Sequence, residues 1–185
     1  MAQYDLSETG GPYSKYARSS RWWSCGAALT LVVMIAIPYA SGLTNGFVWI
    51  DDDEIVQGRL LAKSWADVPA LFVEDRNFSG YHRPIYNLIH SLDFAIWKLD
   101  PWGYHFSSLV LHLVNAILVF MLLRQCNSTY AVAFASALLW ALHPINTAAV
   151  GLIHAKADLF VTTSLLAASM CAVRNLSTKV RHLVG

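Results

Sequence analysis

Polar positions give way at Cys25 to a nearly unbroken apolar run that lasts to Leu43, interrupted by Pro38, with Trp22 and Trp23 at its start. That length and those interfacial aromatics predict a first membrane span over 22–43. From Asp51 to Trp102 the chain turns polar, with nine acidic residues against five basic, so 44–102 reads as an acidic loop outside the bilayer core. Within it, Pro84 suits a first helical position, and Ile85, Leu88, Ile89, Leu92, Ile96 and Leu99 recur at helical spacing with Asn87, His90 and Asp93 between them. The spacing predicts an amphipathic helix over 84–99, which either lies in the membrane surface beside Trp97 and Trp102 or packs on its own protein. A second span covers 103–123, and a polar turn at 124–129 follows. The third, 130–153, is apolar only from Tyr130 to Leu142, roughly 20 Å of helix, before His143-Pro144 breaks it. Either it starts in the preceding turn or it continues past a kink toward Ile153. A fourth span covers 157–173, and tails of 1–21 and 174–185 flank the whole. The expected fold class is an all-α integral membrane protein of about four transmembrane helices, plus an interfacial amphipathic helix in the first external loop.

Composition sharpens this picture. In 185 residues, 56% are hydrophobic and 14% charged, against roughly 25% charged in soluble domains, which argues against an ordinary cytosolic enzyme. A net charge of +1 gives no global field to recruit nucleic acid. Three cysteines without a C-x-x-C spacing form neither a disulfide framework nor a zinc site. Lys15, Arg18, Arg21, Arg124, Arg174, Lys179 and Arg181 fall on one side when four spans are counted, which places both termini in the cytoplasm, with a bacterial inner membrane as the expected location. Basic residues ahead of an apolar run would also suit a signal peptide; the expectation here is a retained anchor.

The candidate chemistry begins with Asp51-Asp52-Asp53-Glu54, close to a span, where Asp51 and Asp52 could bind a divalent cation or act as a general base, against the plainer reading of a solvated acidic loop. His105 and His112 are seven residues apart and share one helix face. A neutral imidazole there could ligate haem or a chlorophyll-type pigment; the plainer reading is a hydrogen bond to a neighbouring helix. Lys156 and Asp158 suggest a local ion pair at the start of the last span. Tyr4, Tyr13, Tyr16, Trp22 and Trp23 could anchor the amino-terminal segment to lipid or to other membrane protein subunits.

Taken in order, Phe-Val-Trp-Ile-Asp-Asp-Asp (47–53), Tyr-His-Arg-Pro-Ile (81–85), Gly-Tyr-His-Phe-Ser-Ser-Leu-Val-Leu-His (103–112), Ala-Leu-His-Pro-Ile-Asn-Thr-Ala-Ala-Val (141–150) and Lys-Ala-Asp-Leu (156–159) resemble one family over about residues 43 to 170. It is the GT-C membrane glycosyltransferases of the transmembrane-and-tetratricopeptide-repeat type, which are similar to protein O-mannosyltransferases. The resemblance implies a catalytic Asp matching Asp51 or Asp52, which deprotonates the acceptor hydroxyl while a polyprenyl-phosphate sugar binds nearby. It also implies an arginine near that site, matching Arg83, and makes His143 and Lys156 candidates for substrate binding. Two departures stand out. Asn146 and Ala148 occupy the places of a histidine and a glutamate in the family's second external loop, and Lys156 that of an arginine. The family also uses many further spans to enclose its donor, and this sequence supplies four. The leading expectation is therefore a non-catalytic accessory subunit of a larger membrane complex. The alternatives are a split or oligomeric transferase and a pigment- or haem-binding subunit.

Overall fold

The structure, a computed structural model, describes residues 13–48, 51–58, 61–74 and 82–184, without the side chains of 13–25, 52–53 and 177–184. Six α-helices carry it: α1 Tyr13–Tyr39, α2 Pro84–Trp97, α3 Pro101–Gln125, α4 Tyr130–Ala141, α5 Asn146–Gly151 and α6 Lys156–Val184. No strand occurs among the described residues. Among the described residues three segments are long and apolar enough to cross a membrane, Gly26–Thr44, Pro101–Gln125 and Ile153–Leu176, with mean hydropathies of 1.8, 2.3 and 1.4. Leu29, Ile37, Leu139 and Leu165 face outward, as lipid-facing side chains do and as those of a soluble bundle do not. Helices α1 and α6 extend past the apolar stretches because neither 13–21 nor 174–184 contains a proline or glycine to stop them.

The third apolar run does not continue as one helix. At 12 residues α4 is about 18 Å long, short of the roughly 30 Å hydrocarbon core. Pro144 disfavours helical backbone at His143, and the ring Nδ1 of His143 accepts the Ile145 amide at 3.2 Å to fix the turn. The carbonyls that this stop leaves open are capped by other elements. Asn146 Nδ2 donates to Trp140 O at 2.6 Å, Tyr39 Oη donates to Ala141 O at 2.9 Å, and His112 Nε2 lies 3.0 Å from the same oxygen.

Helix α3 is the central post. Leu31 and Ile35 of α1, Ala116 and Phe120 of α3, and Ala133, Ala137 and Ala141 of α4 form one buried cluster. The alanines at every fourth position let α4 approach closely. Helix α6 is tied to α3 by polar groups: Asn115 Nδ2 donates to Leu159 O at 2.9 Å, Thr163 Oγ1 donates to Asn115 Oδ1 at 2.7 Å, and Gln125 Nε2 donates to Met170 O at 3.0 Å. At the other end, Asp100 accepts the Trp102 amide at 3.1 Å as the cap of α3.

Trp97, at the end of α2, lies directly on Gly103, where a Cβ would overlap its indole ring. Gly103→Ala is expected to cost about 1–3 kcal/mol by overpacking. In the control, Gly26→Ala, the new methyl meets nothing within 4 Å, so helix propensity makes the change neutral to favourable. Thermal unfolding of the two variants side by side checks this.

Candidate functional site

The polar loop folds back over the ends of α3 and α6. Asp51 opens a short π-helical turn, Asp52–Val56, in which Ile55 seats the turn on Tyr104 and Ile153. The Asp51 amide donates to Val48 O at 3.1 Å, and its Oδ2 accepts the Val48 amide at 3.3 Å. Its carboxylate is therefore held from behind while the side chain is only 1% exposed. Its other oxygen, Oδ1, lies 3.7 Å from His154 Nδ1. One turn on, the buried Glu54 accepts a hydrogen bond from Tyr86 Oη.

Helix α2 supplies the facing wall, with its polar side inward. Tyr86, Asn87, His90, Ser91 and Asp93 are buried, whereas Ile85, Leu92 and Ile96 are exposed. Ser91 Oγ accepts the Ala62 amide at 2.9 Å, which binds the loop to the helix. Asp93 forms a buried ion pair with Lys156, and Ser107 Oγ completes the triad, donating to Asp93 Oδ1 at 2.9 Å and accepting from Lys156 Nζ at 2.6 Å. The expected Lys156–Asp158 pair is thus replaced: Lys156 turns inward across 63 residues to Asp93, and Asp158 stays exposed. A buried ammonium needs a buried partner, which a neighbour on the solvent side cannot provide.

Burial sets the protonation behaviour of these groups. The Asp51 carboxyl is pushed up from its ordinary value by loss of water, against the opposing pull of the Val48 amide and His154. Glu54 is pushed up for the same reason, with the Tyr86 hydrogen bond opposing. The Tyr86 phenol rises through burial and then through Glu54. His90 is pushed down to about 3, by burial first and then by the charges of Lys156 and His154.

That last shift has a measurable consequence. His90 stays neutral in the fold, whereas an unfolded imidazole takes a proton below about 6.5, so its contribution to stability is lost as pH falls from about 6.5 toward about 3. Among the described residues its two ring nitrogens have no hydrogen-bond partner, so His90→Leu sacrifices no bond there. The variant is expected to gain on the parent as pH drops from about 7 to about 4. Thermal unfolding across that range measures it, and a constant gap contradicts it.

The remaining sequence candidates sort as follows. Asp51 lies at the centre of the cluster; the side chain of Asp52 is outside the described residues. Arg83 is exposed at the start of α2, with its charge directed at Glu54 and Tyr86. His143 is exposed and engaged in its own turn. His105 is buried beside Asp51 and lines a cavity of about 370 Å³ with Tyr39, Asn45, Leu109 and Thr147. His112 joins α3 to α4, its ring 5.2 Å from Tyr39 and 5.5 Å from Trp140. Among the described residues no group of three or more His, Cys, Asp or Glu is placed to hold a metal ion. Tyr4 lies outside the described residues, as do the side chains of Tyr13, Tyr16, Trp22 and Trp23. Sequence reasoning missed Tyr86, His90, Asp93 and His154 as site residues. The first three share one face of α2, a signal present in the sequence; His154 carries none.

Fold and site together define a helical membrane protein with a buried acid–base cluster at one end of its spans. The chain is similar to protein O-mannosyl-transferases of the transmembrane-and-tetratricopeptide-repeat type, as the order of its motifs suggests. It is 28% identical over 160 residues to one from Caenorhabditis elegans, covering 80% of this chain and 23% of that protein. To protein O-mannosyl-transferase TMTC2 of Mus musculus it is 32% identical over 104 residues, 55% of this chain and 12% of that protein. To TMTC3 of Homo sapiens it is 28% identical over 157 residues, 80% of this chain and 17% of that protein. The chain thus spans less than a quarter of the length of these relatives. No family model matches it, and no solved structure does.

These relatives overturn the expectation of a non-catalytic accessory subunit, because they are named as transferases. Two of the departures from the family pattern have uses in the fold: Asn146 caps α4 and Lys156 neutralises Asp93. A membrane location stands on the apolar helices and the relatives together. A bacterial inner membrane has no support, since these relatives are animal proteins.

Proposed function

We propose that this chain forms the acceptor-activating part of a glycosyltransferase that uses a polyprenyl-phosphate sugar, with mannose the sugar suggested by the relatives' names. The observation that carries the reading is Asp51: a buried carboxylate, fixed by the Val48 amide and facing His154. A carboxyl whose proton affinity is raised toward the working pH is suited to general-base catalysis. Asp51 takes the proton of the acceptor hydroxyl as the oxygen attacks the anomeric carbon. The wall of α2 keeps water from that step.

In this reading four segments cross the bilayer, α4 being the short one, both termini are cytoplasmic, and the cluster faces the opposite side. Helix α2 lies in the membrane surface with Ile85, Leu92 and Ile96 toward lipid, since these side chains are exposed while its polar face is buried. The experiment is transfer from polyprenyl-phosphate mannose by membranes holding the full chain. The reading requires loss of transfer in Asp51→Asn and its persistence in Asp52→Asn; transfer that survives Asp51→Asn refutes it.

A further inference from the structure

At the end of the bundle away from Asp51, three helices leave a cleft with a cation in its wall. The cleft measures about 410 Å³ and is lined by Phe120, Met121, Arg124 and Gln125 of α3, Tyr130 of α4 and Met170 of α6. Arg124 stands about 28 Å along α3 from His105, at 1.5 Å per residue, so the cleft is separate from the acid–base cluster. Phe120 and Met121 precede Arg124 by four and three positions, which places them one turn deeper on the same helix face. The cleft therefore runs from apolar walls to a charge at the point where the α3 span ends. Arg124 is held in place: it donates to Ser128 O and lies over the Tyr130 ring, 3.6 Å from the centroid. Of its five N–H donors, Ser128 O takes one among the described residues. No Asp or Glu lies in α1, α3 or α4, and that of α6 is Asp158, in its first turn and away from Arg124.

We propose that this cleft binds an anionic phospholipid, with the phosphate on Arg124 and one acyl chain along Phe120, Met121 and Met170. The inference stands apart from the transferase reading and needs only that the spans lie in a bilayer. A planar guanidinium offers paired N–H donors at the spacing of two phosphate oxygens, and the Tyr130 face keeps that plane fixed. Tyrosine with an apolar body and a polar tip is enriched at the depth of lipid headgroups. Methionine suits the chain below, because its unbranched thioether adapts to a flexible hydrocarbon. A free anion would leave Phe120 and both methionines uncovered, whereas a lipid covers them. Charge selects the headgroup: Arg174 follows Met170 by one turn on α6 and adds a second cation to that end, which favours a net negative lipid over a zwitterionic one. The bound lipid fastens α3, α4 and α6 where Gln125 Nε2 already donates to Met170 O at 3.0 Å.

The test uses the full chain purified in detergent, with phosphatidylserine or phosphatidylcholine added and bound lipid counted by native mass spectrometry. The parent is expected to prefer phosphatidylserine by about 5-fold, the effect of one basic residue at a membrane surface. Arg124→Gln is expected to bind the two lipids equally. Lys98→Gln, which removes a positive charge at the far end of the molecule, keeps the preference. Thermal unfolding gives a second reading on the parent alone, in which phosphatidylserine raises Tm more than phosphatidylcholine does and inorganic phosphate leaves it unchanged. The same measurement without lipid shows whether Arg124→Gln is folded. Equal binding of the two lipids by the parent overturns the proposal, as does a preference that survives Arg124→Gln. Displacement of the lipid by inorganic phosphate would make the cleft a free-anion site, and recovery of the parent as a lipid-free dimer would give it to a second copy; either result also overturns the proposal.

Discussion

Asp51→Asn is expected to lower sugar transfer by a factor of about 10²–10⁴ while the helices stay assembled. The substitution leaves the shape of the side chain almost unchanged, and the amide oxygen can still accept the Val48 amide that holds Asp51 Oδ2 at 3.3 Å. What disappears is the capacity to take a proton. Asp51 Oδ1 faces His154 at 3.7 Å, so the new amide group stays within the same surroundings. Measured as initial rates in membranes, with thermal unfolding as the check on assembly, the variant separates chemistry from fold. Equal rates in parent and variant would remove Asp51 from the reaction.

The second large effect is on stability. Lys156→Ala is expected to destabilise the chain by about 3–5 kcal/mol, because it leaves the Asp93 carboxylate buried without its counter-charge. Ser107 still donates to Asp93 at 2.9 Å, but one hydroxyl does not replace an ammonium. In thermal unfolding the loss corresponds to a drop of roughly 6–20 °C in Tm for a chain of this size. The double variant Lys156→Met with Asp93→Leu is expected to unfold above the single one, since it removes both charges and fills the space. A single variant as stable as the parent would mean that the pair is solvated.

Sequence and structure agree best where the signal sums over many residues. Hydropathy over some twenty positions marks Gly26–Thr44, Pro101–Gln125 and Ile153–Leu176, and no single substitution would hide them. The orientation of α2 was not legible. Periodicity separates Ile85, Leu92 and Ile96 from Asn87, His90 and Asp93 but does not say which set turns inward, and here it is the polar set that is buried. The Lys156–Asp93 pair was illegible for another reason. Its partners are 63 residues apart, and the nearer Asp158 offers the same charge at local spacing. The acidic run pointed to the site but not to the residue within it, since neighbouring positions on a tight turn differ only in direction, and Asp51 is turned inward by its bond to Val48.

The inward polar face of α2 also bears on how the protein is made. Asp93 emerges from the ribosome 63 residues ahead of Lys156, an interval of about 3–13 s at synthesis rates of about 5–20 residues per second. Throughout that time α2 has a carboxylate but no ammonium to set against it, so it cannot settle on α3 as it does in the finished molecule. The helix that begins at Lys156 closes the pair, and with it the cluster around Asp51. Assembly of the site is thereby deferred until that helix is made, and a nascent chain stalled before Lys156 carries α2 with its acidic residue unneutralised.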